Sequence, residues 1–197
     1  MEQKLEAKNK HPCFILVRPQ MGENIGAAAR AMWNFGLERM RVVSPRDGWP
    51  NQKAVAMASG AGRLLDEALI FPTFEEAIAD QNFVFATTAR PRDLIKPIYS
   101  PKDAIRLAFS KISEGQNVGF IFGPERSGLE NSDIVKANAI ISVPVNEHFP
   151  SLNLAQCVLV LAYEWMLNLN NSDIDSSTSD QSNVVSNMQV EKLCNYF

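Results

Sequence analysis

The residue types best suited to chemistry are concentrated in segment 123–129, Gly-Pro-Glu-Arg-Ser-Gly-Leu, which directly follows an apolar stretch at 118–122. Glycine permits backbone angles and a close ligand approach that other residues forbid, and Pro124 fixes the direction in which the chain leaves the strand. The segment therefore predicts a binding loop at a strand end. The alternative is a plain turn in which Glu125 and Arg126 are solvated or paired with each other.

A nucleoside triphosphate is not the ligand that this loop predicts. Its two glycines are separated by four residues, as in a P-loop, but Leu129 and Glu130 stand where that motif requires Lys and then Ser or Thr. The carboxylate of Glu125 would repel a polyphosphate, whereas it suits a cation or a hydroxyl donor. By itself the loop leaves the identity of the ligand open.

The elements that must position this loop are strands that alternate with helices. Six apolar, β-branched runs predict strands, at 13–17, 40–44, 68–71, 83–87, 118–122 and 139–143. One of the helix patterns between them begins with Ser100 as N-cap and Pro101 in the first helical position, and is predicted to end at about Ser113. The alternation predicts an α/β fold with a mostly parallel sheet, helices on both faces and ligands at the carboxyl ends of the strands.

Two further blocks accompany the loop. Residues 24–30, Asn-Ile-Gly-Ala-Ala-Ala-Arg, follow the first predicted strand, and residues 143–153, Val-Pro-Val-Asn-Glu-His-Phe-Pro-Ser-Leu-Asn, precede a long apolar helix pattern. In order, spacing and content, the three blocks resemble the three motifs of the SpoU (TrmH-like) branch of the SPOUT RNA 2′-O-methyltransferases, over residues 14–166. Within that branch, residues 87–92, Thr-Thr-Ala-Arg-Pro-Arg, are most similar to the TrmJ type of tRNA methyltransferase.

The resemblance implies a SPOUT fold with a C-terminal trefoil knot, and S-adenosylmethionine as methyl donor, bound in the knot. It places backbone groups that hold the donor at Thr87, Thr88, Ala89, Gly123, Val143, Pro150, Ser151 and Leu152. For the loops concerned, this agrees with the expectation that ligands lie beyond strand ends.

The resemblance also implies a set of catalytic residues. Arg30 would orient an RNA phosphate and polarise the ribose 2′-hydroxyl, because a guanidinium with a pKa above about 12 is a poor general base. The proton would pass late to water, to phosphate or to Arg30 itself. Asn24, Glu125, Ser151 and Asn153 would fix Arg30 and the loops, with a purely structural role toward a backbone donor as the alternative for Glu125.

RNA would have to be held by a local patch, because the formal net charge is −3. Arg18, Arg90, Arg92 and Arg126 follow predicted strands and could form a cluster at one sheet edge, or serve only as solubilising charge. The expected reaction is 2′-O-methylation of tRNA at the anticodon-loop pyrimidine 32, and no DNA partner is expected because DNA lacks the 2′-hydroxyl.

Three other readings stay open. The first is an rRNA 2′-O-methyltransferase of the same branch, and the second is a non-catalytic RNA-binding module that keeps the fold. The third is an α/β nucleotide-binding protein, suggested by Gly-Ala-Gly at 60–62, although that segment lacks the third glycine of a dinucleotide fingerprint.

The bulk properties suit one domain with a C-terminal appendage. The chain has 197 residues, 46% of them hydrophobic, and divides into a predicted domain at 1–169, a polar flexible linker at 170–183 and a tail or short helix at 184–197. Neither a signal peptide nor a membrane span is predicted, and the expected location is the cytoplasm.

Two further expectations concern metals and assembly. The three cysteines and two histidines lack metal-ligand spacing, so no metal is expected, and Cys13 and Cys157 are predicted to be core residues. The helix pattern at 153–169 has an apolar face wider than one stripe. Together with the family resemblance, that face predicts a homodimer in which Arg30 completes the site of the partner subunit.

Overall fold

The computed structural model describes residues 11–89 and 96–174, of which 171–174 are described by their backbone alone. In these ranges seven strands form one sheet: β1 (Cys13–Val17), β2 (Met40–Val43), β3 (Leu69–Phe71), β4 (Phe83–Thr87), β5 (Ile98–Tyr99), β6 (Val118–Phe122) and β7 (Ala139–Ile141). The helices are α1 (Gly22–Asn34), α2 (Gln52–Ala58), α3 (Gly62–Asp66), α4 (Phe74–Ile78), α5 (Pro101–Ser113), α6 (Asn131–Lys136) and α7 (Leu154–Ile174).

The sheet has the order β3-β2-β1-β6-β4-β7-β5, and every neighbouring pair is parallel. The predicted α/β class is therefore confirmed. The central strands β1 and β6 are buried along their whole length, as expected for strands covered by helices on both faces. The trefoil knot stays a prediction.

The core lies in two layers, one on each side of the sheet. On one side, Phe14 packs between Phe120 and Phe122, with 5.4 Å from its ring centroid to each. This layer also contains Trp165 of α7, which is fully buried. On the other side, Ile15 and Ile121 pack with aliphatic residues of α4 and α6.

Several elements differ from the prediction: β2, β3 and β7 are each one or two residues shorter than their predicted runs. The strand β5 was not predicted, because two residues are too few to show any period. Helix α7 continues to Ile174, so residues 170–174, predicted as the start of the flexible linker, are helical. Once a helix is formed, each added residue gains a hydrogen bond, and the packed first part of α7 supplies that nucleus. Segments 175–183 and 184–197 lie outside the described residues.

Candidate active site

A cavity of about 370 Å³ opens at the carboxyl ends of β4, β6 and β7. It is bounded by the loops that follow these strands and by the first turn of α7. All eight residues predicted to hold the methyl donor line it: Thr87, Thr88, Ala89, Gly123, Val143, Pro150, Ser151 and Leu152. Residues far apart in the sequence are thus brought together where the parallel sheet predicts a ligand site.

The strand ends that form the cavity are fixed by hydrogen bonds. The hydroxyl of Thr87 donates to the carbonyl of Ile121 at 2.9 Å, which ties the end of β4 to β6. The backbone N–H of Thr88 donates to the carbonyl of Ile141 at 3.1 Å, which ties it to β7. These two hydrogen bonds hold the end of β4 against its two neighbouring strands at the cavity wall.

Gly123 is required by the way in which the loop folds back on itself. A Cβ at this position would lie 2.2 Å from the backbone nitrogen of Leu129, closer than any real contact. The loop is closed by the N–H of Gly128, which donates to the carbonyl of Pro124 at 2.8 Å, and Gly128 has a φ of +66°. The glycines predicted to serve a ligand therefore act first on the loop's own backbone.

Glu125 joins this loop to the start of α1. Its carboxylate accepts hydrogen bonds from the backbone N–H groups of Gln20 at 2.8 Å and Met21 at 3.2 Å. The side chain of Met21 makes no cap hydrogen bond to this helix, and the carboxylate from a distant loop lies just before the helix N-terminus, where negative charge is favourable. These contacts match the structural role that was the alternative for Glu125.

Asn24 and Asn153 extend this network to α7. The amide of Asn24 donates to Glu125 at 2.7 Å, and its oxygen accepts from the amide of Asn153 at 2.9 Å. The oxygen of Asn153 in turn accepts from the N–H of Ala155 at 2.8 Å in the first turn of α7. Three of the five predicted catalytic residues therefore fix one another and three elements, while Ser151 is exposed in the cavity lining.

Arg30 lies apart from this network. It is exposed on α1 and does not line the cavity. Within the described part of the chain its side chain has no hydrogen bond or ion pair, so none of the four polar residues expected to fix Arg30 is hydrogen-bonded to it. Six residues along a helix correspond to about 9 Å of axial rise, which separates Arg30 from Asn24.

The four arginines predicted to bind RNA are not all in one place. Arg126 is exposed and lines the cavity. Arg18 instead makes a bidentate ion pair with the buried carboxylate of Asp133 and lies 3.7 Å from Glu130. This pair ties the end of β1 to α6, and RNA binding by Arg18 stays a prediction. Arg90 and Arg92 lie outside the described residues.

Sequence reasoning missed the second role of Cys157. It was predicted as a core residue, but it also lines the cavity, and burial raises the pKa of its thiol to about 11. The available signal was its position three residues after Leu154, which places both on one face of α7. In residues 11–89 and 96–174, no three His, Cys, Asp or Glu side chains are grouped to hold a metal ion.

Comparison with known proteins places this geometry in a family. The model of the SpoU rRNA Methylase family matches residues 12–163. The chain is 39% identical over 153 residues to tRNA (cytidine-2′-O-)-methyltransferase TrmJ of Methanocaldococcus jannaschii, covering 76% of this chain and 65% of that protein. It is 35% identical over 174 residues to the uncharacterized tRNA/rRNA methyltransferase LasT of Escherichia coli, covering 85% and 73%.

The solved structures agree. The crystal structure of TrmJ from Z. mobilis shares 46% sequence identity with a TM-score of 0.75, covering 94% of this chain and 77% of that one. The SpoU methyltransferase AviRb from Streptomyces viridochromogenes, solved with AdoMet, shares the fold at 19% identity and a TM-score of 0.64. The chain spans just under two thirds of the M. jannaschii relative and 58% of TrmJ from Pseudomonas aeruginosa. With the family model matching most of its length, the chain belongs to the SpoU rRNA Methylase family, which confirms the resemblance predicted from its three blocks.

Proposed function

We propose that this protein transfers a methyl group from S-adenosylmethionine to a ribose 2′-hydroxyl of RNA, namely tRNA at the anticodon-loop pyrimidine 32. The observation that supports the activity best is the cavity formed by the loops after β4, β6 and β7, two of which carry motif blocks, in a chain of this family. The finer choice of tRNA is supported by the relatives that are named as tRNA 2′-O-methyltransferases. A tRNA substrate fits the cytoplasmic location, which stays a prediction.

The residues of the cavity suit S-adenosylmethionine. Its volume of about 370 Å³ falls in the range of small-molecule sites, and its walls include the apolar side chains of Phe122, Ile141 and Val143. When bound, the donor supplies a methyl group on a cationic sulfonium. The chain itself would hold the donor through backbone groups at the strand ends, exclude water with these apolar walls and keep its loops rigid through the Glu125 network.

We propose a homodimer in which Arg30 acts in the cavity of the partner subunit. Support comes from the position of Arg30, which is exposed, unpaired within the described residues and absent from the lining of its own cavity. Helix α7 offers a surface for a partner, because Leu159, Tyr163 and Leu167 are exposed while its opposite face is buried in the core. In the cavity of the partner subunit, the N–H donors of the planar Arg30 guanidinium would align an RNA phosphate and the ribose 2′-hydroxyl.

An rRNA substrate is the second candidate. It is favoured by the relative LasT, which is named a tRNA/rRNA methyltransferase and matches 85% of this chain. Because tRNA and rRNA enzymes of this branch share the cavity motifs, the two substrates differ in contacts made outside the cavity.

Methyl transfer to synthetic RNA would test the proposed function. The protein is incubated with S-adenosylmethionine carrying a labelled methyl group and an unmodified tRNA transcript, followed by nucleoside analysis. We expect label in a 2′-O-methylated pyrimidine at position 32, and none when that nucleotide is a 2′-deoxynucleotide. Label in rRNA but not in tRNA would favour the second candidate, and binding of RNA without transfer to either would favour a non-catalytic module.

A further inference from the structure

The aromatic ring of Phe149 is exposed to solvent in a loop that borders the cavity. Phe149 is 75% exposed, more than any other large hydrophobic side chain in the described ranges. It lies in the loop between β7 and α7, where Val145 before it and Pro150 after it both line the cavity. A single exposed hydrophobic residue is common on protein surfaces, but a largely exposed ring between two segments that line a site is not what packing alone would select.

The backbone around Phe149 is held in a defined turn. The N–H of Phe149 donates to the carbonyl of Asn146 at 2.9 Å, and the N–H of His148 donates to the side-chain oxygen of Asn146, also at 2.9 Å. The ring is therefore held by an ordered segment, and a ligand that contacts it loses little free energy to ordering of the loop.

The charges near the cavity indicate which part of an RNA would meet the ring. The carboxylate of Glu147 is exposed two residues before Phe149 and would repel a phosphate. Arg126, from the loop after β6, lines the cavity and has no ion pair in the described part of the chain, so it can attract one. A nucleobase is the uncharged, flat part of RNA that stacks on aromatic side chains.

We propose that Phe149 stacks on the base of the nucleotide whose ribose enters the cavity, while Arg126 takes an adjacent phosphate. This inference rests on the proposed function, since it requires RNA at this cavity. Every base has a π-face, so such a contact would hold the nucleotide in position without selecting its identity. Phe149 is in this sense a positioning residue for the substrate.

The test uses an anticodon stem-loop RNA in which the nucleotide at position 32 is pyrrolocytidine, whose fluorescence falls when it stacks. The full chain, loaded with S-adenosylhomocysteine, is titrated with this RNA as the unaltered protein, Phe149→Tyr and Phe149→Leu. We expect the Tyr variant to keep the quenching and the affinity. The Leu variant, similar in size but without a π-face, should lose most of the quenching and bind RNA about 10-fold more weakly.

Two controls separate this proposal from other roles of the ring. The affinity for S-adenosylhomocysteine and the sedimentation coefficient should be the same for all three proteins. Quenching by the Leu variant equal to that of the unaltered protein would overturn stacking. A changed sedimentation coefficient would assign the ring to a contact between copies, and a weakened S-adenosylhomocysteine affinity would assign it to the donor site. If the unaltered protein binds S-adenosylhomocysteine but not RNA, the proposed function fails as well, without reference to any variant.

Discussion

Ser151 tests the donor site at the level of a single side chain. It is exposed in the lining of the cavity, where a larger side chain would occupy the space of a ligand. We expect Ser151→Leu to weaken the affinity for S-adenosylhomocysteine by about 10-fold or more, since adding bulk at a contact costs on the order of 1–3 kcal/mol. Titration calorimetry measures the affinity, and urea unfolding should show an unchanged free energy of unfolding.

The matched control is Ser110→Leu. Ser110 is also exposed, but it lies on α5 and does not line the cavity. This variant should bind S-adenosylhomocysteine as the unaltered chain does. An undiminished affinity in Ser151→Leu would remove the 143–153 loop from the donor site.

Residue types could be predicted at this scale, but their partners could not. The sequence predicted that Glu125 and Arg18 lie in the segments that follow strands, and in the structure they follow β6 and β1. Their partners Asn24 and Asp133 lie 101 and 115 positions away, and nothing in the local pattern points to them. The choice between a structural pair and a free charge is decided by those partners.

Helix packing depends on a glycine of the first motif. A Cβ at Gly26 would lie 2.1 Å from the carbonyl oxygen of Ala54, so α1 and α2 could not keep their present distance. We expect Gly26→Ala to reduce the free energy of unfolding by about 1–3 kcal/mol, because an overpacked contact outweighs the gain in helix propensity. Urea unfolding monitored by circular dichroism measures this.

The same substitution at Gly62 is the control for helix propensity. Gly62 begins α3, and a Cβ there would have no neighbour within 4 Å. Gly62→Ala should leave the free energy of unfolding unchanged or raise it by up to about 1 kcal/mol. Equal losses in both variants would show that the contact with Ala54 is not the cause.

An ion pair between the buried Arg41 and the exposed Asp80 connects β2 with the segment after α4. The guanidinium of Arg41, 6% exposed, donates to both carboxylate oxygens of Asp80, at 2.5 and 2.6 Å. The hydrogen bond with Arg41 lowers the pKa of Asp80 from 3.8 to about 2. A depressed carboxyl pKa stabilises the fold above the unfolded pKa, and this contribution is lost as the pH falls through the folded value.

We therefore expect a specific pH dependence of stability. Between pH 3.8 and about 2 the unfolded chain binds the Asp80 proton first, so the free energy of unfolding should decrease as the pH falls through this window. Asp80→Asn should be less stable at neutral pH, because it leaves the Arg41 charge buried without a counter-ion, and should show a smaller decrease in the window. Parallel pH profiles for both proteins would contradict the assignment to Asp80.

Elements were predictable where apolar runs are long and bounded by clear signals. The bounds of β1, β4 and β6 agree with the predicted ones, and α5 begins after the N-cap Ser100 and ends at Ser113, as predicted. The end of α7 could not be predicted, because its last residues are polar and remain helical as a continuation of a packed helix. The polar composition of these last residues favours a loop, but the packed helix before them keeps them helical.

At the scale of the whole molecule, the sequence indicated which loops meet but not the order of the strands. Parallel strands bring their carboxyl ends to one edge, so loops after β4, β6 and β7 were expected to be close together. The order in which β6 lies between β1 and β4 comes from long crossovers, whose packing is not visible in any local period. The cavity was thus predictable as a set of residues and not as a shape.

The last prediction concerns the assembly and the role of Arg30. If Arg30 aligns the RNA in the partner's cavity, Arg30→Ala should leave the affinity for S-adenosylhomocysteine unchanged and reduce the transfer rate by about 100-fold, as for an interaction made mainly in the transition state. Arg30→Lys should restore little, because an ammonium cannot replace the planar guanidinium. Sedimentation of the unaltered protein should show a dimer at micromolar concentration.

Mixed dimers decide which subunit Arg30 serves. In a dimer of one Arg30→Ala chain and one Ser151→Leu chain, the first chain keeps an intact cavity and receives Arg30 from the second. If Arg30 acts across the interface, mixing the two impaired proteins under conditions of subunit exchange should restore one working site per mixed dimer, at an S-adenosylmethionine concentration too low to fill the Ser151→Leu cavity. If Arg30 acted in its own chain, each cavity would lack either the arginine or the donor, and the mixture would stay inactive. An Arg30→Ala protein with normal turnover would instead make Arg30 an ordinary exposed residue of α1.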